Sequence, residues 1–186
     1  EMKEGWCFWT PNLDSITISP HNKNFAYLDD SHQIIVEKSH LDKDIFDSII
    51  FANRNINNVV IPDFIKEINS YAFKDCCNLK EISISENSEL LLIGEESFGD
   101  IKELFIPPKV EILEKGWTCS LPDDIKIVIS PKNKNFKYLD KSQKIIVGKS
   151  DTRKEIFDDI LYASKNVKTV IIPDSIIKSS VGKGIK

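Results

Sequence analysis

The chain matches itself at a single offset. Gly5-Trp6 recurs as Gly116-Trp117, Ile18-Ser19-Pro20 as Ile129-Ser130-Pro131, and Asn22-Lys23-Asn24-Phe25 as Asn133-Lys134-Asn135-Phe136, each 111 residues later and without a gap. The match runs on through Tyr27-Leu28-Asp29 and Tyr138-Leu139-Asp140, Ile34-Ile35-Val36 and Ile145-Ile146-Val147, Ile45-Phe46-Asp47 and Ile156-Phe157-Asp158, then Ile61-Pro62-Asp63 and Ile172-Pro173-Asp174. Self-similarity at a fixed period is the signature of a repeat architecture, in which each unit buries its apolar side against the next. Residues 1–186 read as a single segment of one solenoid: a full unit at 3–113, a partial copy at 114–177 and a diverged tail at 178–186, with the pattern suggesting an excerpt of a longer array.

Inside the long period lies a shorter one. Alternating apolar pairs, often followed by Pro or Ser, stand at Ile16/Ile18, Val59/Ile61, Ile82/Ile84, Leu104/Ile106, Ile127/Ile129 and Val170/Ile172. Each pair predicts a short strand with one face inward. The steps between them are 43, 23, 22, 23 and 43 residues, and the first four together make the 111. A step of 22 or 23 falls in the range of leucine-rich repeats, which supply one strand and a compact return per turn. The expectation is a right-handed solenoid with a parallel β-sheet face, inserted β-hairpins, and short helices or 3-10 turns. With paired strands about 4.8 Å apart, six strands make a face roughly 25 to 30 Å long.

The 43-residue steps carry an insertion. Asn24-Phe25-Ala26-Tyr27, a polar Asp29-Asp30-Ser31 cluster, and Gln33-Ile34-Ile35-Val36 read as a β-hairpin. Beyond it, Ile45, Phe46, Ile49, Ile50 and Ala52 recur at helical spacing behind Asp42 and Asp44, which predicts a short helix. Tyr71-Ala72-Phe73, Cys76 and Ser97-Phe98 stand where side chains plug the space between coils. Pro20, Pro62, Pro107, Pro131 and Pro173 lack an amide hydrogen and mark where ladder pairing stops.

The ordinary turns, such as Val59-Val60-Ile61-Pro62 followed by Ile65, Ile68, Tyr71-Ala72-Phe73 and Cys76, resemble the BspA-like leucine-rich repeats of bacterial and protozoan surface proteins. The stretch from Ser19-Pro20-His21-Asn22 to Ile35-Val36 is similar to that family's inserted unit, and the resemblance extends to Ile176. It implies a cell-surface or secreted protein that adheres to host cells, matrix proteins or other microbes, that is often immunodominant, and that has no catalytic residues. The long period looks like the tandem units of repetitive surface antigens of parasitic protozoa. Two stretches depart from the pattern: residues 178–186, with Gly184 where Phe73 stands in the first copy, and Gly94-Glu95-Glu96-Ser97-Phe98-Gly99 in the third turn.

Composition excludes several other classes. The net charge is −4, from 25 basic and 29 acidic residues mixed along the chain, so there is no basic stripe to release counterions from nucleic acid. No apolar run approaches the length of a membrane span, so membrane attachment would need segments outside this piece. Cys7, Cys76, Cys77 and Cys119 lack metal-ligand spacing, and His21, His32 and His40 correspond to Lys132, Gln143 and Asp151 in the second copy, which argues against a metal site. The common hydrolase, nucleotide and metalloprotease motifs are missing, and no cofactor is expected. Adjacent acidic pairs such as Asp29-Asp30 and Glu95-Glu96 point apart and read as solvated faces. The chain contains no Asn-x-Ser/Thr sequon, which leaves its surface bare for recognition.

Where strand residues such as Ile16 and Ile18 point inward, their neighbours must point outward. Aligned through the coils, the outward positions form a central row of Thr17, Val60, Ser83, Phe105, Val128 and Ile171, flanked by Ser15, Asn58, Glu81, Glu103, Lys126 and Thr169. An apolar stripe with a polar rim has the composition of a protein-binding surface, with Phe105 as its anchor. Strand propensity alone, or cover by a neighbouring element, would also place Val, Ile and Phe there. The hairpin tips, Asp29-Asp30-Ser31 and Asp140-Lys141-Ser142, offer a second contact surface. The expected role is a non-catalytic adhesion module binding proteins or host surface and matrix components. An intracellular interaction scaffold is the alternative, and a surface-glycan hydrolase a third class that would need paired carboxylates in a cleft.

Overall fold

The computed structural model describes residues 5–7, 10–40, 42, 44–151 and 155–180. The chain winds as a β-solenoid with two strand-bearing faces. The first face holds β4 (Asn58–Val60) paired in parallel with β6 (Glu81–Ser83), and β8 (Glu103–Ile106) paired in parallel with β10 (Lys126–Ile129). The second is a six-stranded sheet in the order β1-β2-β3-β5-β7-β9, made of β1 (Phe25–Tyr27), β2 (Ile34–Glu37), β3 (Ser48–Ala52), β5 (Glu67–Ile68), β7 (Leu92–Ile93) and β9 (Ile112–Leu113). A four-stranded sheet, β11 (Phe136–Tyr138), β12 (Ile145–Gly148), β13 (Asp159–Ala163) and β14 (Lys178–Ser179), repeats β1, β2, β3 and β5 at the offset of 111.

Alternation builds the core. In β4, Val59 is buried between exposed Asn58 and Val60, and in β6 Ile82 is buried between exposed Glu81 and half-buried Ser83. Inward residues of successive coils join one cluster containing Val59, Ile61, Ile82, Leu104, Ile106 and Ile127. After the first face, Pro62, Pro107 and Pro173 each supply a carbonyl to the amide three residues on, that of Ile65, Val110 or Ile176, and this tight turn sends the chain toward the second face. At the corner beyond, amide-to-carbonyl bonds from Tyr71 to Glu95 (2.9 Å) and Phe73 to Ser97 (2.8 Å) tie one coil to the next. Phe73 and Phe98 are fully buried there, their ring centroids 6.0 Å apart, and Cys76 is buried beside them, as the plug positions predict. A Cβ on Gly94 would lie 2.3 Å from the Ser70 amide nitrogen, so this irregular third turn needs glycine for its close approach. Gly5 and Gly116 both take a left-handed backbone, which explains the recurring Gly-Trp pair.

The hairpin expectation holds in both copies, since β1 pairs antiparallel with β2 and β11 with β12. The expected helix does not form. Residues 48–52 are instead β3, the third antiparallel strand of the insert, and no helix occurs among the described residues. The cause is burial on both sides. Ile49 and Ala52 join the main core, while Ile50 and Phe51 pack with Cys7, Ile35, Leu13, Ile16, Ile18, Phe25 and Tyr27. A strand covered on two faces shows a continuous apolar run that periodicity cannot separate from a short helix, and β-branched Ile49-Ile50 before Phe51 favours the strand. The insert is thus a wall, one face against the segment before it and the other against the coils that follow. Both walls carry a register shift at the same place, Ile35/Val36 and Ile146/Val147.

The wall interrupts the first face, so two of the six expected strands do not form. Residues 15–19 and 167–173 lie outside any strand or turn.

Candidate protein-interaction face

Register places four of the six row residues in two cross-strand pairs, Val60 opposite Ser83 and Phe105 opposite Val128. Val60 is 75% exposed, and Ser83, Phe105 and Val128 are half-buried. Thr17 and Ile171 are exposed but stand apart from this surface, because their segments lack a partner strand. The rim runs through Asn58 opposite Glu81 and Glu103 opposite Lys126, and Lys126 Nζ lies 2.7 Å from Glu103 Oε2. Ser83 Oγ donates to Glu81 Oε1 at 3.1 Å.

The face carries a break that the row alone did not reveal. No ladder joins β6 to β8, and between them lies an open groove of about 630 Å³ lined by Ile82, Ser83, Ile84 and Phe105, with Glu81 and Lys102 at its sides. In a parallel strand, alternate residues turn their amide and carbonyl to alternate neighbours. The Ser83 carbonyl bonds to the Ile61 amide, and the Lys102 and Ile106 carbonyls bond to the Lys126 and Ser130 amides. The backbone groups of Ile82 and Ile84 on one side, and of Glu103 and Phe105 on the other, therefore face the groove. The break falls in the coil whose step is 22 residues rather than 23, which was the available signal.

Away from this face, polar chemistry is absorbed by packing. His32 takes a left-handed backbone at the first hairpin tip and stacks on Tyr27 with centroids 4.0 Å apart. The tip is an Asx turn, with the Ser31 amide 2.8 Å from Asp29 Oδ1, and the second tip repeats it with Ser142 and Asp140 at 2.7 Å. A recess of about 250 Å³ lies beside the second tip, between Ser142, Lys144 and Asn166. Glu114 Oε2 accepts from Ser70 Oγ (2.8 Å) and the Glu95 amide (3.0 Å), and Glu96 from Lys74 and Ser120, so these carboxylates tie corners together. Arg54 is 3% exposed, reaching the Lys74 and Cys7 carbonyls and the Cys7 sulfur. Burial pushes the Cys76 thiol up to about 11 despite Arg54 beside it, and burial raises Cys7 in the same way. Both thiols stay protonated at neutral pH, as structural cysteines do. Among the described residues no three His, Cys, Asp or Glu side chains gather as a metal site.

The BspA type leucine rich repeat region matches residues 5–120 in six copies. The chain belongs to this family. No curated protein and no solved structure matches it. BspA-type repeats are generally non-catalytic modules that bind proteins. In this member the repeat extends past the matched region, since β11 to β14 reproduce β1, β2, β3 and β5.

Proposed function

We propose that the chain is a non-catalytic adhesion module of a cell-surface or secreted protein, and that it binds proteins of a host surface or matrix through its first face. The observation that carries this reading is the outward row Val60, Ser83, Phe105 and Val128, apolar at three of four positions, set beside a groove and rimmed by charge. A rigid solenoid presents such a row without ordering cost, and a half-buried aromatic at its centre fits a contact that carries most of the binding energy. The bare surface, free of glycan acceptor sequences, suits both contact and antibody access.

The test is binding of the labelled chain to epithelial cells and to immobilised matrix proteins, beside a Phe105→Asp/Val128→Asp variant whose fold is checked by circular dichroism. Binding by the wild type with a loss on the order of 30-fold or more in the variant supports the face as adhesive. Equal binding by both places adhesion elsewhere, and failure of the wild type to bind favours an intracellular scaffold on the same solenoid.

A further inference from the structure

The middle of the solenoid opens on one face only. On the second face β5, β7 and β9 pair without a break, whereas on the first face the coils that carry β7 and β9 leave β6 and β8 unjoined. The walls of the groove are therefore sheet edges set inside the stack. On their far sides both walls are paired, with the Ile61 amide on the Ser83 carbonyl (2.9 Å) and the Ser130 amide on the Ile106 carbonyl (2.9 Å). Among the described residues no backbone hydrogen bond crosses from Ile82 or Ile84 to Glu103 or Phe105. Amides and carbonyls placed in this way call for a guest with the same alternation of donor and acceptor, which is an extended main chain.

Size and charge narrow the guest further. A strand takes about 3.3 Å along its axis per residue, about 4.8 Å in the plane of the sheet and about 10 Å through it, so about 630 Å³ holds about four extended residues. Ile82 and Ile84, at 6% and 9% exposure, close the floor, so a side chain pointing down must be small. Each wall carries a lysine next to a glutamate, Lys80-Glu81 and Lys102-Glu103. A neutral main chain suits that balance, whereas a polyanion or a basic stretch would meet like charge from both walls.

We propose that the groove takes a short extended segment of a partner polypeptide, whose main chain pairs with the free groups of β6 and β8 and joins β4-β6 and β8-β10 into one sheet. Alternate side chains of the segment set specificity: small ones face Ile82 and Ile84, and an aliphatic or aromatic one lies against Phe105. This rests on the reading of the first face as a protein-binding surface and names the partner's form, a flexible tail or loop rather than a folded surface.

The probe is a displayed library of random heptapeptides selected on the intact chain, from which the tightest binder is synthesised with and without N-methyl groups on alternate amides. Hydrogen exchange is followed residue by residue by NMR. In the free chain the amides of Ile82, Ile84, Glu103 and Phe105 should exchange faster than the bonded amides of Ile61 and Ser130. Peptide at about ten times its Kd should slow those four by about 10-fold, because exchange then proceeds from the free fraction alone. N-methylation should weaken binding by at least about 10-fold. Glu103→Pro removes one groove amide at the first residue of a strand, where proline is tolerated, and should also lose about 10-fold, while Glu103→Gln binds as the wild type does. The N-methyl comparison uses the unaltered chain and decides even where Glu103→Pro perturbs the fold. Slow exchange of the four amides in the free chain, no selected peptide, protection only outside the groove, or equal binding of the N-methylated peptide overturns the proposal. No cell or matrix protein enters this assay. Groove protection by a chain that fails to adhere would thus count against adhesion alone, and adhesion without groove protection against the extended segment alone.

Discussion

Residues 54–68 and 165–179 are the same stretch of the repeat, 111 residues apart, and they differ in what lies against them. In the first, β6 pairs with β4, and Val59, Ile61 and Ile65 fall to 5%, 1% and 0% exposure. In the second, with no strand alongside, Val170 and Ile172 remain about half in water and Ile171 is 90% exposed. The inward Val59, Ile61 and Ile65 recur unchanged as Val170, Ile172 and Ile176, so at these positions the strand and its burial belong to the stack and not to the residue type. This is the nearest-neighbour energetics of a solenoid, in which a unit's intrinsic tendency is small and the interface term decides.

The largest expected effect tests that lesson directly. Ile61→Ala removes a fully packed side chain between coils and should cost about 2 to 5 kcal/mol, whereas Ile172→Ala, at the equivalent position, should cost less than about 1 kcal/mol. Urea unfolding of the two single variants measures the difference. Equal costs would break the comparison, since identical chemistry would then be equally stabilised with and without a neighbour.

A second contrast sits where the wall meets the following coil. Asp47 is buried, accepts from the Ser39 amide at 3.0 Å and faces Lys66 Nζ at 2.9 Å. In the second copy the position of Lys66 is Ile177. Burial pushes the Asp47 carboxyl up, but the Ser39 hydrogen bonds and the Lys66 ammonium outweigh it and hold it below the ordinary value. A group depressed on folding contributes stability above its unfolded value, near about 4, and loses it as pH falls through the folded value. Asp47→Asn should therefore cost about 1 to 3 kcal/mol at neutral pH, with the deficit shrinking on acidification below about pH 4. Unfolding at pH 7 and pH 3 checks the sign, and a deficit that grows toward acid would contradict it.

Much of this architecture could be read from residues alone, and what could not shares one cause. The 111 period, the hairpins and the plugs Phe73 and Phe98 are local patterns repeated, and repetition makes them legible. Ile49-Ile50-Phe51 looked helical because a strand buried on both faces loses the alternation that identifies strands. Ile16/Ile18 and Val170/Ile172 carry a strand pattern equal to that of Val59/Ile61, yet strands need partners that the pattern does not report. Of the candidate face, Val60, Ser83, Phe105 and Val128 followed from alternation plus period; the groove between β6 and β8 depended on the path of a shortened coil. Only the step of 22 hinted at it.

The asparagine pairs offer a finer measure of the same difference. Asn22 and Asn133 both accept two backbone amides through Oδ1, from Asn24 and Phe25 and from Asn135 and Phe136. Only Asn133 also donates to the preceding coil. Replacing each by Ala removes the shared turn from both, so the excess cost at Asn133 isolates the coil-to-coil bonds. That excess should be about 1 kcal/mol in urea unfolding at low protein concentration. Identical costs would mean that the Pro107 and Val110 carbonyls gain nothing over water.

The smallest effect lies on the rim of the first face. Glu103 and Lys126 pair across β8 and β10 with both side chains more than half exposed, while the corresponding positions on the two open edges are Thr169 and Ser15. The double variant Glu103→Thr/Lys126→Ser thus gives the internal ladder the rim of the unpaired edges without touching Leu104, Ile106 or Ile127. An exposed ion pair of this kind contributes about 0.2 to 1 kcal/mol, and salt screens it within a Debye length of about 10 Å at 0.1 M. The variant should therefore unfold slightly earlier than the wild type at low salt and together with it in about 1 M salt. If it instead loses several kcal/mol at both salt concentrations, charge rather than inward packing holds β8 to β10, and the absence of strands at 15–19 and 167–173 would follow from their uncharged rims instead of from the missing neighbour.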